Sequence, residues 1–184
     1  MRIGIIATAR SGGMALGEWM ALELGIPFYH EPHTFKTEIV SKDKWIQKWL
    51  VGEWWDMVDK GIEPKEMNKC IRLWREDSRE VAISSIKANE TGEWHSGYEL
   101  NDEWIKEREN DILIQTQRAE GDVEWLKSFE GPKLNITYEG IYESGKDIKR
   151  LTDYLGIQSP KYLQLLDSSN RLRRVKGGKQ KQWI

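Results

Sequence analysis

The first thirteen residues constrain the fold more than any other stretch of the chain. An apolar run, Ile3-Gly4-Ile5-Ile6-Ala7, feeds into Thr8-Ala9-Arg10-Ser11-Gly12-Gly13, and an amphipathic segment from Met14 to Leu24 follows at once. Strand, small-residue turn and helix together present several backbone N–H groups and a positive helix end to a phosphate. Arg10, inside the turn, adds a fixed charge with a forked donor set. The arrangement predicts binding of a phosphorylated nucleotide.

Length and composition limit the rest. The chain has 184 residues, which suits a single domain with a full core of its own. Cys70 is the one cysteine. It excludes an intrachain disulfide and fits a reducing, cytoplasmic compartment. Ile3–Ala7 is too short for a secretion signal, and no apolar run approaches the roughly 20 residues of a membrane-spanning helix. A net charge of −2 argues against a nucleic-acid partner. The charge is uneven, however. Arg171, Arg173, Arg174, Lys176, Lys179 and Lys181 make a basic tail, so the expected division is a core over 1–170 and a tail over 171–184. Of the ten tryptophans, Trp19, Trp74 and Trp125 sit in apolar patterns and read as core. Trp45, Trp49, Trp54 and Trp55 cluster, and read either as core or as the lining of a ligand cleft.

Periodicity and turn residues order the chain. Residues 2–8 read as a buried parallel strand and 13–24 as a helix stopped by Gly25-Ile26-Pro27. Residues 28–30 form a short second strand. Residues 43–59 have helical spacing through Trp45, Ile46, Trp49, Leu50 and Met57. Lys69–Trp74 is a third strand. Asp77, with Glu80 three places on, opens a helix to about Asn89. Asn101 caps one long helix with Ile105, Ile112, Ala119, Val123 and Leu126 on a single face. Leu134, Ile136 and Tyr138 alternate as a strand. A helix over 144–155 stops at Gly156, and a short one lies near 160–167. Strands alternating with helices predict a single α/β domain: a P-loop-NTPase-like parallel sheet flanked by helices. Ligands of such sheets sit beyond the carboxyl ends of the strands, where Arg10, Glu31 and Arg75 all fall.

The ordinary NTP loop carries Lys and Ser/Thr after its last glycine. Here Gly12 to Gly17 is followed by Glu18-Trp19. A donor that needs no metal fits better. Ala9-Arg10-Ser11-Gly12 resembles the 5′-phosphosulfate loop of sulfotransferases that use 3′-phosphoadenosine 5′-phosphosulfate (PAPS). Gly25-Ile26-Pro27-Phe28-Tyr29-His30-Glu31-Pro32 resembles a segment of the bacterial carbohydrate sulfotransferases of the trehalose 2-sulfotransferase type. Arg75-Glu76-Asp77, Val81-Ala82-Ile83-Ser84 and Thr91-Gly92-Glu93-Trp94 are similar to that family's 3′-phosphate segment. Ile136-Thr137-Tyr138-Glu139 and Leu151-Thr152-Asp153-Tyr154-Leu155-Gly156 are similar to its C-terminal block. The resemblance spans residues 3–157 in order. The chain departs from it where Gly13-Met14 replace a Ser or Thr, and where Gly140 replaces an acid. The ending from Arg174 to Gly178 only loosely resembles the Lys-Gly tail of other sulfotransferases.

The resemblance implies transfer of a sulfuryl group from PAPS, without a metal, to a hydroxyl of a carbohydrate or glycolipid. Arg10 would stabilise charge on the leaving phosphate, with Ser11, Gly12, Gly13 and Met14 around the 5′ end. Glu31 would take the acceptor's proton, with His30 and His33 as competing bases. Arg75 and Ser84 would hold the 3′-phosphate, with Arg174 and Lys176 closing over it. Trp54, Trp94, His95, His30 and His33 are weaker candidates for contact with the acceptor. Tyr138 and Glu139 would buttress the sheet. Two rivals are a divergent nucleotide kinase, disfavoured by the missing Lys-Ser/Thr, and a non-enzymatic nucleic-acid or glycan binding module built on the tryptophans and the basic tail.

Overall fold

The computed structural model describes residues 1–31, 43–54, 67–92, 101–128 and 133–166. Five parallel strands form one sheet in the order β2-β3-β1-β4-β5. They are β1 (Arg2–Ala7), β2 (Phe28–His30), β3 (Trp45–Leu50), β4 (Lys69–Trp74) and β5 (Leu134–Thr137). β1 is central. Ala7 sits opposite Leu50 of β3 and Leu73 of β4, so the turn after β1 opens between its two neighbours. This is the expected α/β architecture, with one more strand than the sequence suggested.

The extra strand is β3, in place of the first part of the helix expected over 43–59. Helical conformation appears only at 51–54, and 55–59 lie outside the described residues. A central parallel strand is buried on both faces and loses the polar alternation that marks a strand. Trp45, Ile46, Gln47, Lys48 and Trp49 are all buried, and their apolar members fall at helix-like intervals.

The faces of β1 sort the core. Ile3, Ile5 and Ala7 pack with Leu16, Trp19 and Met20 of α1 (Gly13–Leu24) and with Leu151 and Leu155 of α6 (Ile148–Leu155). Ile6 faces the opposite layer of Trp45, Trp49, Trp54, Cys70, Trp74 and Leu126. The Trp49 ring meets Trp45 and Trp54 edge-on, with centroids 6.3 and 5.5 Å apart. Trp54 is only 1% exposed, so it is a core residue and not part of an open cleft.

α2 (Ser78–Thr91) starts where Asp77 accepts from the N–H of Glu80 at 2.9 Å. Asn101 caps as expected, accepting from Trp104 N. The single long helix is instead two, α3 (Asp102–Glu107) and α4 (Glu109–Ser128). The break at Arg108 lets Ile105 and Ile112 converge on Ala82 and Ile83 of α2. β5 ends one residue earlier than the alternation implies. Thr137 Oγ1 accepts from Gly140 N at 2.9 Å, which makes Thr137 the cap of α5 (Tyr138–Tyr142) and puts Tyr138 in a helix. The last helix starts at Ile148, not 144, and the final short element is a 3₁₀ turn, Leu163–Leu165. Among the described residues no helix is long and apolar enough to cross a membrane.

Candidate functional site

The turn after β1 is shaped by its own polar atoms. Thr8 N donates to Leu73 O at 3.1 Å, extending the β1–β4 pairing by one step. Ser11 Oγ donates to Thr8 O at 2.7 Å and is buried. Arg10 between them takes φ 59°. Gly12 is the N-cap of α1, and no side chain caps that end. The first N–H groups of a helix have no intrahelical partner, so this end is free to meet an anion. Tyr142 OH fixes the far side of the turn by donating to Gly12 O at 2.7 Å.

Gly13 shows why the chain lacks a hydroxyl after the loop glycine. A Cβ there would lie 3.2 Å from Ala7 Cβ and 3.3 Å from Lys48 Cε. A Ser or Thr there would need the Lys48 stem or the Ala7 methyl to give by a few tenths of an ångström.

Lys48 leads to Glu31. Its ammonium donates to Glu31 Oε1, and both side chains are nearly sealed from water. Glu31 N donates to Lys48 O at 2.9 Å. His30 Nε2 lies 3.5 Å from the same carboxylate oxygen. Burial pushes the Lys48 ammonium below the usual lysine value, and the Glu31 carboxylate opposes that shift. Glu31 takes φ 43°. Arg10 and Glu31 are thus the non-glycine residues with positive φ among those described. A side chain held in that region costs of order 1–3 kcal/mol, and such residues cluster at functional sites.

α2 brings the two arginines to one place. Arg10 Nε donates to Ser84 Oγ at 2.7 Å. Arg75 Nη2 lies 3.7 Å from Glu80 Oε2. Glu80 and Ser84 are four residues apart on the helix, so they are vertical neighbours on one face. Arg10 and Arg75 thus each meet a side chain of α2, and those two side chains leave the helix one turn apart. Arg75 is held from behind. Its Cζ sits 4.7 Å from the centroid of the Tyr138 ring, and its Nε lies 3.8 Å from Glu139 Oε1. Glu139 also accepts from Glu76 N at 3.0–3.1 Å. Tyr138 in turn packs on Tyr142, which anchors the β1 turn.

The structure thus gathers Arg10, Ser11, Gly12, Gly13, Met14, Arg75 and Ser84 along one rim. Glu31 and His30 lie at the same carboxyl edge of the sheet, across the Lys48 stem. His33, Trp94, His95, Arg174 and Lys176 lie outside the described residues. Arg79 is turned outward and pairs with Glu109. Sequence reasoning missed Lys48. The available signal was a lysine among the tryptophans and isoleucine of a parallel strand, where a buried ammonium demands a carboxylate as partner.

No family model matches the sequence, and neither does any curated protein. Solved structures do. One is mouse sulfotransferase SULT7A1 complexed with PAP, with a TM-score of 0.47 and 15% identity over 94% of this chain and 63% of that one. This chain therefore spans 63% of the length of that sulfotransferase. Another is an unliganded sugar kinase from Janibacter sp. HTCC2649, with a TM-score of 0.42 and 11% identity over 85% of this chain and 95% of that one. Neither likeness speaks to activity.

Proposed function

We propose that the chain transfers a sulfuryl group from PAPS to a hydroxyl, on a carbohydrate or glycolipid acceptor. The observation that carries this reading is that Arg10, from the β1 turn, and Arg75, from the end of β4, both meet side chains of α2, beside an α1 end that no side chain caps. Two cationic groups against one helix, next to backbone donors, suit a ligand with two anionic ends. The 5′-phosphosulfate would lie in the turn 8–13, and the 3′-phosphate would meet Arg75 and Ser84.

The chemistry assigned to the residues follows from their positions. Glu31 takes the proton of the acceptor hydroxyl as its oxygen attacks sulfur. Arg10 and the first N–H groups of α1 take up the charge that grows on the departing phosphate. Of the two acids beside Arg75, Glu80 has a side chain that is 44% exposed, so a phosphate can displace it at little cost, while Glu139 stays behind the guanidinium.

Thermal-shift titration tests the reading. Adenosine 3′,5′-bisphosphate should raise the melting temperature, as any ligand selective for the folded state must. ATP with Mg²⁺ should have a much smaller effect. Equal or stronger stabilisation by ATP with Mg²⁺ would favour a kinase and end the proposal.

A further inference from the structure

Lys48 stands between the carboxylate assigned as base and the turn assigned to the donor. Its ammonium meets Glu31 Oε1, with the two side chains only 6% and 11% exposed. A backbone bond from Glu31 N to Lys48 O ties the pair a second time. The stem of the same lysine passes 3.3 Å from the Cβ position of Gly13, the first residue of α1. A buried ammonium is not left without a counter-anion. Here that anion is Glu31. A donor seated at the α1 end would bring a second anion to the same lysine.

We propose that Lys48 is a positioning residue that latches Glu31 until the donor arrives. Before the donor binds, the ammonium rests on Oε1. The anion bound in the turn 8–13 draws it away, and the carboxylate is then able to accept a proton. This rests on the sulfuryl-transfer reading. In that reaction the acceptor oxygen forms a bond to sulfur, and the bond from sulfur to the 5′-phosphate oxygen breaks. The electron pair leaves on adenosine 3′,5′-bisphosphate, and the acceptor's proton goes to Glu31. While Lys48 holds Oε1, a proton arriving there would face the ammonium and, at 3.5 Å, His30 Nε2. An acceptor hydroxyl that arrives before the donor therefore meets a carboxylate whose Oε1 is already held by Lys48.

The test follows the Lys48 side chain directly by NMR, in the full chain carrying lysine labelled with ¹³C at Cε. The Lys48 signal is assigned by its loss in Lys48→Arg, or in Lys48→Met should the arginine not fit. Without ligand, the signal should differ between wild type and Glu31→Gln, because only the wild type has the latch. With saturating PAPS the two signals should coincide. Glu31→Gln should also bind PAPS about tenfold more tightly, since no carboxylate competes for the ammonium. A different result separates the two claims. If PAPS raises the melting temperature while the two signals stay as far apart as before, the latch is refuted and sulfuryl transfer stands. If PAPS neither raises the melting temperature nor moves the signal, both fall.

Discussion

Arg10 Nε donates to Ser84 Oγ at 2.7 Å, joining residues 74 positions apart in the chain. The bond ties the turn after β1 to the middle of α2. It aligns the one cation of the turn with the helix whose preceding loop supplies Arg75. Arg10 reaches Ser84 from a left-handed backbone, φ 59°, so the turn holds a conformation that an arginine does not favour. The geometry of the site and the strain of the turn are carried by the same residue.

Replacing Arg10 separates those two roles. Arg10→Ala and Arg10→Gly both lose the guanidinium, and each should reduce sulfuryl transfer about 10²–10³-fold. Their stabilities should differ. Glycine accepts positive φ and alanine does not, so Arg10→Gly should be more stable by about 1 kcal/mol. Both variants lack the Ser84 bond, so denaturant unfolding of the pair isolates the backbone term. Equal midpoints would mean that the turn relaxes in one of them.

Glu31 and Lys48 are a buried pair, and removing one member leaves the other uncompensated. Glu31→Gln and Lys48→Met should each cost about 3 kcal/mol. The double variant should cost less than the sum by at least ~1 kcal/mol. Glu31→Gln should also slow transfer to an acceptor at least about 100-fold without weakening donor binding. Additive stabilities in the four-variant cycle would show that the two charges do not depend on each other.

Much of this was legible in the sequence because its signals are local. The β1 turn, the Asp77 and Asn101 caps and the Gly156 stop each depend on a few adjacent residues. The placement of Arg10 and Arg75 at one edge was legible too, because parallel strands deliver their carboxyl ends to one edge. β3 was not. Its residues are buried on both faces, which erases the period of two, and the interval from Trp45 to Trp49 mimics a helix turn. Lys48 disappeared with the strand. Read on a helix it is a solvent-facing cation, and read on β3 it is a buried charge that needs Glu31. The break at Arg108 was hidden for another reason. No glycine or proline marks it, and it serves contacts with α2 that the local sequence does not encode.

Gly140 is explained by Asp147. A Cβ at position 140 would lie 2.0 Å from Asp147 Oδ2 and 2.9 Å from Thr137 Oγ1. Asp147 is buried, and its Oδ2 accepts from Thr137 N at 3.1 Å. A side chain at position 140 would therefore collide with the Asp147 carboxylate. Gly140→Ala should destabilise by about 2 kcal/mol through overpacking. In an Asp147→Ala background the same substitution should cost much less. A full-size cost in that background would point to Thr137, not Asp147, as the obstacle.

Cys70 gives the fold a signature at high pH. It is buried in β4 against the tryptophan layer, and burial pushes its thiol up from 9.0 to about 11. The unfolded chain therefore ionises its thiol at a lower pH than the folded chain does. Between about pH 9 and 11 the folded state holds the extra proton, so stability falls as the pH rises through that window. Two pKa units correspond to a total loss of about 3 kcal/mol. Cys70→Ala removes this contribution, together with the smaller part of the raised Tyr154 pKa that the Cys70 thiolate causes, which acts in the same direction; it leaves Lys48, whose lowered pKa acts with the opposite sign, in place. The difference in unfolding free energy between wild type and Cys70→Ala should be flat below about pH 8. It should then shift against the wild type up to about pH 11. A difference that stays constant across that range would mean that the thiol ionises as readily in the folded chain as in the unfolded one.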